Sequence, residues 1–328
     1  LIERRVAERL DMFMARANEA YYATHDPFAD FTTAPEISQM FGELVAAWLA
    51  VVWAGMGSPD PVLLIEAGPG RATLMADARR ALARVAPAFL AAARVHLIET
   101  SARLRAEQAA RVPDAIWHDA LDSVPAGVAL VIANEFLDAL PIRQFVRRAA
   151  GWVERHVADG AFVECGCEGP ARHAAEGDVV EVGEAGLAWT AALAARLAVQ
   201  GGAALIMDYG TSETAAGDSL QALRNGEPAN PLADPGAADL TAHVDFAALA
   251  RTARMAGAAV WGPVTQGDFL ARLGLGARAA RLAAARPDRA DVIRGEAARL
   301  AAPAQMGRLF KAICVAHPAC AEPPGFSA

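Results

Sequence analysis

Four short apolar runs follow one another between residues 61 and 134: "PVLLIE", "RVHLIE", "AIWH" and "VALVIAN". Helix-patterned segments, residues 73–92 and 101–110, separate the first three. Runs this short, rich in Val, Ile and Leu and bounded by turn residues, read as strands buried on both faces. A parallel neighbour cannot be reached by a tight hairpin, so strand–helix alternation predicts a parallel sheet with crossover helices on its faces. The pattern returns at 187–210, where the helix "LAWTAALAARLAVQ" leads into a further buried strand, "AALIMDYG". The fold class expected is α/β, a Rossmann-like, mostly parallel sheet.

The rest of the chain elaborates this core. Residues 1–57 read as an N-terminal helical extension. Its first helix runs through "LIERRVAERLDMFMARA", and a polar stretch, "YYATHDPFADFTTAPE", joins it to a second. The run "LVAAWLAVVWAGMG" at 44–57 is shorter than the roughly 20 residues that span a bilayer and reads as a buried helix. No signal peptide and no membrane insertion are expected. The sheet domain is assigned to 58–328, with insertions at about 142–186 and 211–241 and a helical region at 267–302. Within the first insertion, alternating residues broken at Gly151 and Gly160 predict antiparallel hairpins; the second is loop-rich. The last strand, "GRLFKAICVAH", carries Lys311 mid-run and is expected at or near a sheet edge.

Composition narrows the function. Apolar residues make up 54%, which excludes a disordered chain. A net charge of -8 argues against a nucleic-acid partner, because a sequence-independent grip on phosphates needs excess positive charge. The four cysteines include one Cys-x-Cys pair, without a second pair or nearby histidines, so no metal is expected. They suit a reducing cytoplasm. Lys311 is the only lysine in an arginine- and alanine-rich chain, the mark of a GC-rich, bacterial coding sequence.

The stretch "IEAGPGRA" joins the first strand to its helix. In a doubly wound sheet, ligands bind at the carboxyl ends of the strands. Gly68 and Gly70 let a ligand approach the backbone, and amides at the helix start favour a polar or anionic group. The second strand ends in Glu99, placed to accept both hydroxyls of a ribose. Two nucleoside ligands compete, a dinucleotide and S-adenosylmethionine. Glu66, just before the turn, would repel a pyrophosphate and suits the ammonium of S-adenosylmethionine, which favours the methyl donor. Asp119, after the third strand, is a candidate for the adenine edge.

The fourth strand ends in "IANEFLDALP". Asn134 and Glu135 fall at its tip and are candidates to orient an acceptor nitrogen. Asp138 shares a face with Glu135 if the segment turns helically; the alternative is a helix N-terminus capped by Asn134. Asp208 and Tyr209 end the fifth strand and are candidates for the pocket floor or for packing. His25, His118 and His243 are isolated candidates for a base.

Seven segments, in order, resemble the MidA-like methyltransferase family: "DFTTAPEISQMFGE", "EAGPGRATLMAD", "NEFLDALPIRQF", "MDYG", "ADLTAHVDF", "GPVTQGDFLARLG" and "MGRLFKAI". The resemblance implies a class I S-adenosylmethionine-dependent fold with extra helices, and cofactor contacts from Glu66, Gly68, Gly70 and Glu99. Mitochondrial members of that family help to assemble respiratory complex I by methylating an arginine of a core subunit. A protein arginine acceptor is therefore implied, a complex I core subunit or its bacterial counterpart. The chain departs from the family where Ala72 replaces a third glycine, where its methyl could crowd the donor. Further departures are the short "DPFAD" loop before "FTTAPE" and the segment "LQALRNGEPAN".

Methyl transfer from a sulfonium is an in-line displacement, so the enzyme mainly positions the acceptor and excludes water. Arginine is a poor nucleophile that stays protonated, and a carboxylate can align its planar fork. Glu135 is the first candidate for that carboxylate, Glu36 and Asp138 the next. Glu36 lies in "TTAPEIS", where Pro35 can start a helix behind Thr33. Two other readings remain: an assembly chaperone with a vestigial nucleotide site, and a nicotinamide-dependent oxidoreductase. The second would need a Tyr-x-x-x-Lys pair, which the sequence lacks.

Overall fold

Residues 7–29 and 31–327 are described by a computed structural model. The start of the expected N-terminal helix, residues 1–6, and Asp30 of the short loop lie outside them. Helix α1 spans Leu10–Thr24, α2 Ala34–Ile37 and α3 Gln39–Gly55. The first helix starts later than its pattern suggested. Glu8 and Arg9 are drawn into an edge pairing with Val157 and His156 of the first insertion.

The alternating segment then folds as read: β1 Val62–Ala67, α4 Thr73–Val85, β2 Ala93–Ile98, α5 Ala102–Arg111, β3 Ile116–His118 and β4 Ala129–Asn134. The helical stretch 73–92 is broken, because Pro87 cannot continue α4 and starts a separate turn of helix, Pro87–Ala92. The first insertion supplies β5 Arg143–Arg148, β6 Gly151–Ala158, β7 Ala161–Cys167 and β8 Val179–Val182, all antiparallel. Next come α6 Glu184–Gln200 and β9 Gly202–Thr211. The loop-rich second insertion holds a small sheet of its own, Gln221–Arg224 between Glu227–Ala229 and Asp239–Thr241. The chain closes with α7 Phe246–Met255, β10 Ala259–Thr265, α8 Gln266–Arg272, α9 Leu275–Ala285, α10 Ala290–Ala301 and β11 Phe310–Ala316.

The main sheet runs β10-β11-β9-β4-β1-β2-β3. Neighbours from β9 to β3 are parallel, and β11 is antiparallel to both of its neighbours. Side chains alternate between two cores. Val62 and Leu64 of β1 pack towards α3, α4 and the C-terminal helices, whereas Leu63 and Ile65 face α6 and α7. The strand order reverses between β1 and β4, and such a switch point opens a crevice at the strands' carboxyl ends.

Strand β11 lies one position in from the edge. Its Lys311 is tolerated there because Nζ donates to the carbonyls of Gly210 (3.1 Å), Arg308 (2.6 Å) and Leu309 (2.9 Å). Among the described residues, no helix is long and apolar enough to cross a membrane, and no cluster of His, Cys, Asp and Glu could hold a metal ion.

Candidate active site

The crevice is built first by the turn after β1. Gly68 (φ 63°), Gly70 (φ 52°) and Ala72 (φ 57°) are all left-handed. A Cβ on Gly68 would stand 2.8 Å from Cδ2 of Phe136, and one on Gly70 2.7 Å from Cζ of Phe28. Glycine takes this conformation without strain, and a side chain at either position would have to displace a phenyl ring. Ala72 bears the left-handed strain of about 1–2 kcal/mol instead. The residue is fully buried and belongs to the core cluster beneath the turn. Ala72 gives helix α4 no side-chain cap, and of the first-turn amides Met75 is taken by Glu66.

Glu66, the next-to-last residue of β1, is 3% exposed. It accepts a hydrogen bond from the Met75 amide, while its Oε2 has no partner. Burial pushes its carboxyl up to about 8. At the tip of β2, Glu99 accepts from the Ser101 amide (2.8 Å) and from Gln108 Nε2 (3.2 Å), and burial raises its pKa too. Asp119 follows β3, is largely solvent-exposed and pairs with Arg105 at 2.6 Å.

The tip of β4 carries the second group. No helix forms here: Glu135 is left-handed (φ 51°) and the chain turns back through Asp138. Asp208, in β9 just past its last pairing with β4, shapes this turn. Its Oδ2 accepts from the amides of Phe136 (3.2 Å), Leu137 (2.9 Å) and Asp138 (3.2 Å). Asn134 is thus not a helix cap, and Glu135 and Asp138 are brought together by this turn rather than by helical spacing. Glu135 Oε1 accepts from the Ala34 amide (2.8 Å) and from Asn134 Nδ2 (3.0 Å), which ties the N-terminal extension to the strand tip.

Burial pushes Glu135 and Asp138 up to about 7 and raises Asp208 as well, and the three carboxyls repel one another. Among the described residues no Arg, Lys or His forms an ion pair with any of them. Asn134 Oδ1 and Asp138 Oδ1 are buried without a partner. These two unmatched atoms of the Asn134–Asp138 turn are both acceptors, so the turn fits a donor-rich cation.

Glu36 sits apart, on α2, where it accepts from the Thr73 hydroxyl at the start of α4. His118 is paired with His96 between β2 and β3 (2.8 Å), His25 stacks on Tyr21, and His243 lies edge-on to Tyr209. The sequence reading missed three features. Phe28 covers the turn with Arg71 stacked on it, and Arg71 also pairs with Asp26. Asp208 has a structuring role. Gln108 is fully buried between the turn and Glu99. Only Gln108 left a trace, as a polar residue one helical turn beyond Leu104 on the buried face of α5.

Comparisons with known proteins identify the family. Residues 44–264 match the family model described as "Putative S-adenosyl-L-methionine-dependent methyltransferase". The chain is 35% identical to the mitochondrial protein arginine methyltransferase NDUFAF7 homolog of Drosophila melanogaster, an alignment covering 93% of this chain and 80% of the relative. It is 34% identical to NDUFAF7 of Mus musculus, covering 93% and 79%. A Burkholderia thailandensis protein with S-adenosyl-homocysteine bound superposes with a TM-score of 0.81 at 26% identity, over 98% of this chain and 89% of that one. Glycine positions where a side chain would displace a phenyl ring, the unpartnered Oε2 of Glu66 and the carboxylate of Glu99 suit the cofactor that this match names. The chain belongs to this family of S-adenosylmethionine-dependent methyltransferases and is an enzyme of that kind.

Proposed function

We propose that this enzyme methylates an arginine of a protein acceptor. The observation that carries the reading is the group of carboxyls around the turn after β4, half-buried Glu135 with buried Asp138 and Asp208, with no cation paired to them among the described residues. A guanidinium has five N–H donors and no acceptor, which complements a site whose unmatched atoms are acceptors. The relatives named as protein arginine methyltransferases point the same way.

When bound, S-adenosylmethionine supplies an electrophilic methyl on sulfur. Glu66, Gly68, Gly70 and Glu99 hold it, with Asp119 at the adenine side. Glu135, Asp138 and Asn134 align the guanidinium so that one nitrogen faces the methyl. As the N–C bond forms and the S–C bond breaks, that nitrogen gives up a proton. A carboxyl whose pKa lies near 7 is matched to receive it. Glu36, on the turn side of the crevice, takes the second place in this scheme, supporting the start of α4. Following the family resemblance, the acceptor we infer is the bacterial counterpart of the complex I core subunit.

The test is to incubate the enzyme and labelled S-adenosylmethionine with lysate from a strain lacking the gene, then map the labelled residue by mass spectrometry. Label on arginine supports the reading. Label on another residue type overturns the acceptor assignment. Tight cofactor binding with no protein labelled favours an assembly chaperone.

A further inference from the structure

Gln108 lies on α5, outside every motif quoted above, yet no part of it reaches solvent. Its Nε2 donates to the Gly70 carbonyl at 2.7 Å and to Glu99 Oε2 at 3.2 Å. Its Oε1 accepts from the Trp117 indole at 2.8 Å. An indole N–H can only donate, and a carbonyl and a carboxylate can only accept, so the partners themselves fix which end of the amide is which. One carboxamide therefore bridges the turn after β1 and the acid at the tip of β2, and β3 holds it in place through Trp117. Glu99 Oε1 is taken by the Ser101 amide, so both carboxylate oxygens are aimed from behind.

We propose that Gln108 is a positioning residue for S-adenosylmethionine, locking the ribose-binding carboxylate of Glu99 to the backbone of the Gly70 turn. The proposal rests on Glu99 contacting the ribose. Without the bridge, Glu99 and the turn are positioned independently, and the cofactor has to bring them into register at the expense of its affinity. Gln108 also donates to Glu99 in its ionised form, which opposes the effect of burial on that carboxyl.

The groups around Glu99 are few. Arg105 donates to its main-chain carbonyl and pairs with Asp119. Glu66 and His118 stand on the flanking strands, and Arg71, paired with Asp26 and Glu107, stands on the turn. The end of α1 meets α5 through the carbonyls of Tyr22 and His25, which accept from Ser101 and Arg103.

The experiment is calorimetric titration of S-adenosylhomocysteine into wild type, Gln108→Leu, Glu99→Gln and the double variant between pH 6 and 8. We expect Gln108→Leu to weaken binding by about tenfold or more, the value of hydrogen bonds to a charged group. The loss should grow as the pH falls, because an unsupported Glu99 protonates sooner. In the Glu99→Gln background the same change should cost less than about twofold, since the partner it acts through is gone. Equal losses in both backgrounds with an unaltered pH profile would make Gln108 merely structural and overturn the proposal, as would wild-type affinity in Gln108→Leu. Should that variant fail to fold, Gln108→Met combined with Trp117→Phe removes the indole donor as well, and the same outcomes apply. A wild type that does not bind S-adenosylhomocysteine at all refutes the cofactor site itself. A Glu99→Gln variant that binds normally refutes the ribose assignment and this proposal with it.

Discussion

Replacing Glu66 by Gln should make the protein more stable at alkaline pH than at acid pH, relative to wild type. The carboxyl lies under the turn, 3% exposed, with one amide donor and an unpartnered oxygen. Burial raises it from 4.5 to about 8. The unfolded chain therefore loses this proton as the pH passes about 4.5, whereas the folded chain keeps it until about 8. Unfolding releases a proton in that window, so stability is full below 4.5, falls as pH rises, and levels off above 8. At about 1.4 kcal/mol per pH unit, the whole window is worth about 5 kcal/mol, and the part between pH 6 and pH 8 about 2–3 kcal/mol.

The carboxamide of Glu66→Gln would keep an oxygen for the Met75 amide, put N–H where the acid carries its proton, and titrate nowhere. Glu135 and Asp138 also titrate in this range but are common to both proteins, so they cancel in the difference. With an unfolding entropy of about 2 cal/mol/K per residue, 328 residues convert 2–3 kcal/mol into roughly 3–4 °C. Thermal melts of both proteins from pH 5 to pH 9, without ligand, should show Glu66→Gln gaining about that much on wild type between pH 6 and 8. A difference that stays constant across the range would refute the argument. So would a wild type that gains on the variant with rising pH, because the carboxylate would then be stabilised by the fold rather than penalised.

Three further outcomes follow from the site. Gly70→Val should abolish S-adenosylhomocysteine binding in calorimetry while the chain stays folded, because a side chain at φ 52° also meets Phe28; normal binding would place the site elsewhere. Glu99→Gln should weaken the same ligand by about 1–3 kcal/mol through loss of charge-assisted bonds to the ribose, and an unchanged dissociation constant would leave Glu99 without that role. Glu135→Gln should leave cofactor affinity nearly intact and slow methyl transfer at least about tenfold, a barrier change of roughly 1.4 kcal/mol, read by counting methyl groups on the acceptor's arginines; equal methylation would pass the role to Asp138 or Glu36.

The β-rich runs from 61 to 134 were legible because each is short, apolar and followed by chemistry at its tip. A parallel sheet puts all such tips on one side, so Glu66, Glu99 and Asn134 could be gathered from strand ends alone. What the pattern could not carry was the conformation between the elements. "NEFLDALP" has the spacing of a helix start, yet Asp208, 70 residues beyond Asp138, collects three of its amides and holds it as a turn. Helical propensity is a local quantity, and here a carboxylate from another strand outweighs it.

The acids were legible as candidates but not as a group with divided labour, because their partners come from distant segments. Glu135 and Asp138 sit in one motif and look interchangeable on paper. In the fold, Oε1 of Glu135 is committed to Ala34 and Asn134, whereas Asp138, more deeply buried, is bonded to the Tyr209 side chain and the Ala139 amide and keeps Oδ1 without a partner. A carboxylate already bonded to the N-terminal extension can brace the crevice and still lend its charge to a cation. A buried acceptor with nothing to accept is where a donor from outside gains most, because it ends a desolvation cost that the folded chain bears alone. The guanidinium is therefore expected to meet the half-buried Glu135 first and to gain its second bond from the unpartnered Oδ1 of Asp138 behind it.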